Sequence, residues 1–188
     1  MWTDLPGGAR LRLFEESDAE ELYALTDANR AYLEAWLPWV PATRSSEDSL
    51  AFIRMTRRQV ADNDGLSLAI VRDGAIVGTA GFHRVDWGNR ATTIGYWLAA
   101  AEQGRGTMTE AVRALVDHAF GVWDLHRVEI AAAVENARSR RIPERLGFRE
   151  EGIRRDAERH GERFLDIVVY AMLAPDWPSR TRPPAATP

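Results

Sequence analysis

The chain has 188 residues, 45% of them apolar and 28% charged, which suits one domain with a sizeable core and speaks against a wholly disordered polymer. It contains no cysteine and all 24 basic residues are arginine, so disulfides, thiolate nucleophiles, cysteine-bound zinc, Schiff-base lysines and the P-loop lysine are excluded. A net charge of -4 argues against a dedicated nucleic-acid binder, and uncharged stretches such as residues 91–101 are too short to span a membrane.

The opening Met1-Trp2-Thr3-Asp4 lacks a basic region followed by an apolar one, so a soluble, cytoplasmic chain is expected, with neither membrane nor nucleic acid as partner. Residues 10–14 alternate polar and apolar as a strand does. Ser17-Asp18-Ala19-Glu20 then reads as a capping box opening a helix whose face carries Leu22, Leu25 and Ala28. That segment runs on through Asn29 and Arg30 to Trp36-Leu37-Pro38-Trp39-Val40-Pro41, where two prolines stop it. Ser46, with Glu47 and Asp48 in its first turn, opens a second helix to about Ala61.

The period then changes to two. Residues 66–71 and 75–82 are strand-like and joined by Asp73-Gly74, a hairpin signal because type I′ turns need positive φ. Residues 92–98 add a third strand. From 107 to 120, Met108, Ala111, Val112, Leu115 and Ala119 form the apolar stripe of an amphipathic helix, with Gly121 closing it. A strand at 126–134, a short helix at 137–146, and strands at 148–156 and 164–172 around His160-Gly161 complete the order. This is a mixed α/β arrangement in one domain, residues 1–177, and the Pro-rich residues 178–188 read as a disordered tail.

Two turns could carry chemistry. Gln103-Gly104-Arg105-Gly106-Thr107-Met108 joins a strand to the amphipathic helix, where glycines let a ligand approach the backbone and free helix N–H groups suit a pyrophosphate; the alternative is an ordinary turn. It is no dinucleotide fingerprint, since a third glycine at the required spacing is missing. Asn136-Ala137-Arg138-Ser139 likewise sits between strand and helix, where Asn136 reads equally well as an N-cap. Residues 138–163 hold nine Arg against six acids, a solvated face or a phosphate neighbour. His83, His118 and His126 lie on separate elements without metal spacing and read as structural, so no metal is expected.

Together, Ile94-Gly95-Tyr96-Trp97-Leu98, Gln103 to Ala111, Asn136-Ala137-Arg138-Ser139 and Arg145-Leu146-Gly147-Phe148 resemble the acyl-CoA-binding core of GNAT N-acyltransferases. The likeness is greatest to the RimJ/RimL branch of ribosomal-protein N-acetyltransferases. It extends to Leu11-Arg12, to Asn29-Arg30 with Trp36 to Trp39, and to Glu151-Gly152, covering about residues 9–177. The resemblance implies a GNAT fold: a mostly antiparallel twisted sheet of about seven strands, flanked by helices, with two strands splayed at the acyl-CoA site. It implies acetyl-CoA as co-substrate, held by Gln103, Gly104, Arg105, Gly106, Thr107 and Met108 at the pyrophosphate, by Tyr96, Trp97 and Leu98 along the pantetheine, and by Asn136 and Ser139 near the thioester.

It also implies Glu158 as general base and Ser139 as general acid, while Asp156 and His160 lie close enough in the hairpin sequence to be rivals for the base. Direct attack by an amine suits a chain that has neither Cys nor Lys for a covalent relay. Arg159 and His160 depart from the bulkier apolar residues of that branch. Trp36 and Trp39 are either a core plug or a wall of the acceptor groove. The acceptor implied is a protein N-terminal amine, the alternatives being a small amine or a non-catalytic CoA-binding regulator, and a homodimer is the oligomer implied.

Overall fold

Seven strands form a single sheet in the computed structural model, which describes residues 2–178. The expected tail therefore falls outside the described residues beyond Pro178. In chain order the elements are β1 (Ala9–Leu13), α1 (Ala19–Ala28), α2 (Arg30–Leu33), α3 (Ser46–Ala61), β2 (Leu66–Arg72), β3 (Ala75–Phe82), β4 (Ala91–Leu98), α4 (Thr107–Gly121), β5 (Arg127–Ala133), α5 (Ala137–Arg145), β6 (Arg149–His160) and β7 (Arg163–Leu173). The sheet order is β1-β2-β3-β4-β5-β7-β6, antiparallel throughout except for β4 beside β5. The expected mixed α/β fold with a mostly antiparallel seven-stranded sheet is thus the one observed.

Helices cover both faces. On one, α4 buries Met108, Ala111, Val112, Leu115, Val116 and Ala119 against Leu68, Ile70, Phe82, Ile94 and Ile130. On the other, Phe14, Leu22, Leu33 and Ile53 pack on Ala69, Val71 and Trp97. Each fully buried Leu, Ile or Phe contributes about 1.5–3 kcal/mol, so these two layers dominate stability. The Asp73-Gly74 hairpin forms as expected, with φ of 50° and 84°.

Two local expectations need correction. The first helix is not capped by Ser17. A 3₁₀ turn at Glu16–Asp18 precedes it, and the capping box pairs Glu15 with Asp18. Asp18 wins because it also takes a two-pronged contact from Arg12, at 2.6 and 2.8 Å, besides the Glu15 N–H at 2.8 Å. That helix also stops at Ala28 rather than running to the prolines, because Asn29 turns out of helical geometry (φ -110°, ψ 6°) and the chain restarts as α2. The second helix opens at Ser46 and ends at Ala61 as expected, with Ser45 as its cap and Asp48 accepting from the Ser45 N–H at 3.0 Å.

The last hairpin also differs from the sequence reading. A regular ladder continued from the Arg154–Ile167 pair would end in a two-residue His160-Gly161 loop. Instead β6 carries two extra residues between Arg154 and Glu158, so Glu158 faces Leu165 and His160 faces Arg163. Asp156, with φ of 48°, forms the bulge, and its N–H is held by Asp166 Oδ1 at 2.9 Å. A second irregularity, at Glu150 to Gly152, turns the strand once earlier.

Candidate active site

The parallel pairing of β4 with β5 runs from Ala91–Arg127 to Ile94–Ile130 and then stops. Beyond it the two strands splay. Thr93 O accepts from His83 N–H at 2.8 Å on the β3 side. By strand alternation the backbone groups of Tyr96 and Leu98 therefore point into the gap. The Leu98 carbonyl is already engaged there by the Tyr32 hydroxyl, with the Gln103 amide at 3.5 Å.

The gap opens into a groove of about 750 Å³, lined along its length by Tyr96, Trp97 and Leu98, then by Gln103, Gly104 and Gly106 to Thr109, and opposite by Asn136, Arg138 and Ser139. Arg105, expected at the pyrophosphate, is not part of this lining, and its exposed side chain pairs with Glu102. The turn at its end is built for an anion. Gly104 and Gly106 take φ of 81° and 79°, and a Cβ at either would meet nothing within 4 Å, so their bare faces look onto open groove. The Glu110 N–H is taken by Gly106 O at 3.1 Å, which leaves the N–H groups of Thr107, Met108 and Thr109 at the free end of α4. Around it, Arg138 donates to Gln103 Oε1 at 2.8 Å, and Arg72 ties Thr107 Oγ1 at 2.6 Å. The donor set therefore fits a pyrophosphate on a thioester donor without any lysine.

A second cavity, of about 610 Å³, lies on the α1 and α3 side of the sheet and shares Trp36, Leu37, Tyr96, Trp97, Asn136 and Ser139 with the first. At that junction Asn136 Oδ1 caps α5 by accepting the Ser139 N–H at 3.1 Å. The Tyr96 hydroxyl donates to the Ser139 carbonyl at 3.1 Å, and the Ser139 hydroxyl lies 3.3 Å from the Tyr96 oxygen. Burial, eased only partly by Ser139, drives the Tyr96 phenol well above its ordinary pKa, so it stays a neutral hydroxyl.

Glu158 lines the second cavity, together with Leu165's neighbour Ile167 and with Ala131 to Ala133 of β5. Trp36 packs on Ala133, Leu165 and Ile167, and Trp39, 39% exposed, sets its ring 6.3 Å from that of Trp97. Both tryptophans face the cavity, and Arg30 holds their loop by donating to Val40 O at 2.8 Å and Thr43 O at 2.7 Å. Of the rival bases, neither Asp156 nor His160 lines the cavity: the Asp156 backbone forms the bulge, and His160 touches Glu158.

Sequence reasoning missed several members of this wall. His83, read as structural, lines the cavity, and desolvation lowers its pKa. The face of α3 that carries Asp48, Phe52, Met55 and Gln59 forms the far side. Its helical spacing is legible in the sequence, but its mixed polarity hides it from a search for apolar stripes. His118, by contrast, is packed between Trp2 and Trp123, at 4.8 and 4.9 Å, as a structural side chain.

The family described as "Acetyltransferase (GNAT) domain" matches residues 9–149. The putative ribosomal N-acetyltransferase YdaF of Bacillus subtilis (strain 168) is 40% identical over 169 residues, spanning 89% of this chain and 92% of that protein. Among solved structures, RimL, a ribosomal L7/L12 alpha-N-protein acetyltransferase in complex with coenzyme A, superposes with a TM-score of 0.88 at 26% identity, covering 92% of this chain and 98% of that one. The microcin C7 self immunity acetyltransferase MccE, in complex with acetyl-CoA and AMP, gives 0.85 at 28% identity over 89% and 93% of the two chains.

Proposed function

The chain belongs to the GNAT acetyltransferase family, and from that premise we propose that it moves the acetyl group of acetyl-CoA to the N-terminal α-amine of a protein, of the kind ribosomal-protein acetyltransferases modify. The observation that carries this reading is the junction of two cavities. A groove ending in free helix N–H groups meets an acceptor cavity across Tyr96, Asn136 and Ser139, with Glu158 on the acceptor side.

In this reading the turn from Gln103 to Met108 holds the pyrophosphate, Tyr96, Trp97 and Leu98 flank the pantetheine, and Asn136 and Ser139 sit beside the thioester. Trp36 and Trp39 wall the incoming amine. Glu158 takes a proton from the acceptor ammonium, and the freed nitrogen attacks the thioester carbonyl. As the C–N bond forms and the C–S bond breaks, the nitrogen releases its second proton to solvent, and Ser139 gives its proton to the departing thiolate and recovers one from solvent. No covalent enzyme intermediate is needed, which agrees with the lack of Cys and Lys. The reading also takes the enzyme to be cytoplasmic and homodimeric, after the branch it resembles.

An acceptor panel with mass detection tests it, offering acetyl-CoA with ribosomal-protein N-terminal peptides, free amino acids, aminoacyl compounds, polyamines and aminoglycosides. The expected product is a peptide heavier by one acetyl group on its α-amine. Transfer confined to small amines would replace the protein acceptor, and CoA binding without turnover on any acceptor would make the chain a regulator.

A further inference from the structure

Glu158 and His160 lie two residues apart on one face of β6, and His160 Nε2 is 2.6 Å from Glu158 Oε1. Their surroundings are unequal. The His160 side chain is 6% exposed and that of Glu158 41%. Among the described residues, no other hydrogen bond engages the Glu158 carboxylate, and His160 Nδ1 is buried without a partner.

That unpartnered nitrogen discriminates between proton placements. With its proton on Nε2, a neutral ring donates to the carboxylate and leaves only a bare lone pair on Nδ1. With the proton on Nδ1, a buried N–H is stranded, and Glu158 must itself be protonated to make the short contact. An imidazolium strands the same N–H on a charged ring. Unpaired buried N–H groups are the rarest and costliest of these outcomes. Glu158, in turn, has a flexible side chain on an edge strand, and without a partner it would sample several rotamers.

We propose that His160 is a positioning residue for Glu158: a neutral imidazole, protonated at Nε2, that fixes Oε1 and leaves Oε2 as the oxygen that takes the acceptor's proton. This rests on the reading of Glu158 as the general base. It gives the departure from the branch pattern at this position a role, since a nucleophile's base is itself oriented by a third group in many acyl-transfer sites.

The test combines kinetics with a spectroscopic signature on the full chain. His160→Leu should lower kcat about tenfold with the KM for acetyl-CoA unchanged, and His160→Gln, whose amide N–H reaches where Nε2–H does, should recover most of that loss. In a Glu158→Gln background His160→Leu should cost nothing further. Two-bond 1H–15N spectra of labelled histidine should show the Nε2–H tautomer in the wild type. Equal activity of the Leu and wild-type proteins, an additive loss in the double variant, or the Nδ1–H tautomer overturns the proposal while leaving Glu158 as base. An unchanged rate for Glu158→Gln alone removes the base reading instead. If His160→Leu does not fold, the tautomer spectrum of the wild-type protein, which needs no variant, decides the proposal by itself.

Discussion

The Tyr96 hydroxyl donates to the Ser139 carbonyl at 3.1 Å while its oxygen stands 3.3 Å from the Ser139 hydroxyl, so one residue of β4 holds both ends of the proposed acid across the splayed strands. This pairing works because burial keeps the Tyr96 phenol neutral. Ser139→Ala should reduce kcat about tenfold to hundredfold, and Tyr96→Phe by a smaller factor, with the KM for acetyl-CoA changed little by the first. Steady-state rates at saturating acceptor decide it. A Ser139→Ala enzyme with full activity would mean that the thiolate leaves unprotonated.

The anion cradle makes a different demand. Because a Cβ on Gly106 would project into open groove, a larger residue there obstructs the ligand rather than the protein. Gly106→Val should raise the KM for acetyl-CoA about tenfold or more and cost about 1–2 kcal/mol of stability from the positive φ. Calorimetric titration with CoA and a thermal melt separate the two effects. Unchanged CoA affinity would place the pyrophosphate elsewhere.

Glu158 depends on the bulge before it. If β6 continued regularly from Arg154, Glu158 would slide to face Arg163, roughly 6–7 Å towards the hairpin tip and away from the cavity. Asp166→Ala removes the hydrogen bond that pins Asp156, whose φ of 48° is otherwise unfavourable by about 1–2 kcal/mol. The expected outcome is a several-fold fall in kcat with a loss of about 1 kcal/mol in denaturant unfolding. Full activity would show that strand pairing alone fixes the register.

These relationships mark where the sequence is readable. Asp73-Gly74 and the stripe of α4 are local signals, so the hairpin and the helix follow from them directly. The turn at Gly104 and Gly106 is legible for the same reason, since positive φ at a strand-to-helix junction needs no distant partner. The bulge at Asp156 is not legible, because its cause is a side chain ten residues away across the hairpin. Ser17 loses the cap to Asp18 for the same kind of reason: Arg12, from β1, decides between two plausible caps. His83 and the α3 wall enter the cavity through tertiary packing, and the helical spacing of the α3 face does not by itself show that it lines a cavity.

The Arg12–Asp18 pair predicts a pH dependence. Burial pushes the Asp18 carboxyl up, but hydrogen bonds from Arg12 and the Glu15 N–H outweigh it and hold the pKa below the usual range. The sign follows: the stabilisation is complete above the unfolded value of about 3.9 and is lost as pH falls through the lower folded value. Asp18→Asn should therefore be less stable than wild type at pH 7, with the gap narrowing below about pH 4 in urea unfolding. A gap independent of pH would assign the effect to the cap geometry and not to the charge.

Gly95 offers the sharpest test of the acceptor cavity. It lies under His83, and a Cβ there would come within 2.5 Å of His83 Nε2, so Gly95→Ala must displace the imidazole while leaving β4 paired with β3. The displaced group is the end of a side chain, so the protein should fold with a loss of about 1 kcal/mol or less. Desolvation already lowers the His83 pKa, which keeps the ring uncharged at neutral pH and so spares an incoming ammonium a repulsive neighbour. Moving that ring alters the acceptor's wall and nothing in the CoA groove, whose lining does not include His83. The expected result is a KM for the acceptor peptide raised about threefold to tenfold with the KM for acetyl-CoA within about twofold. The reverse pattern would mean that the two cavities have been assigned the wrong way round.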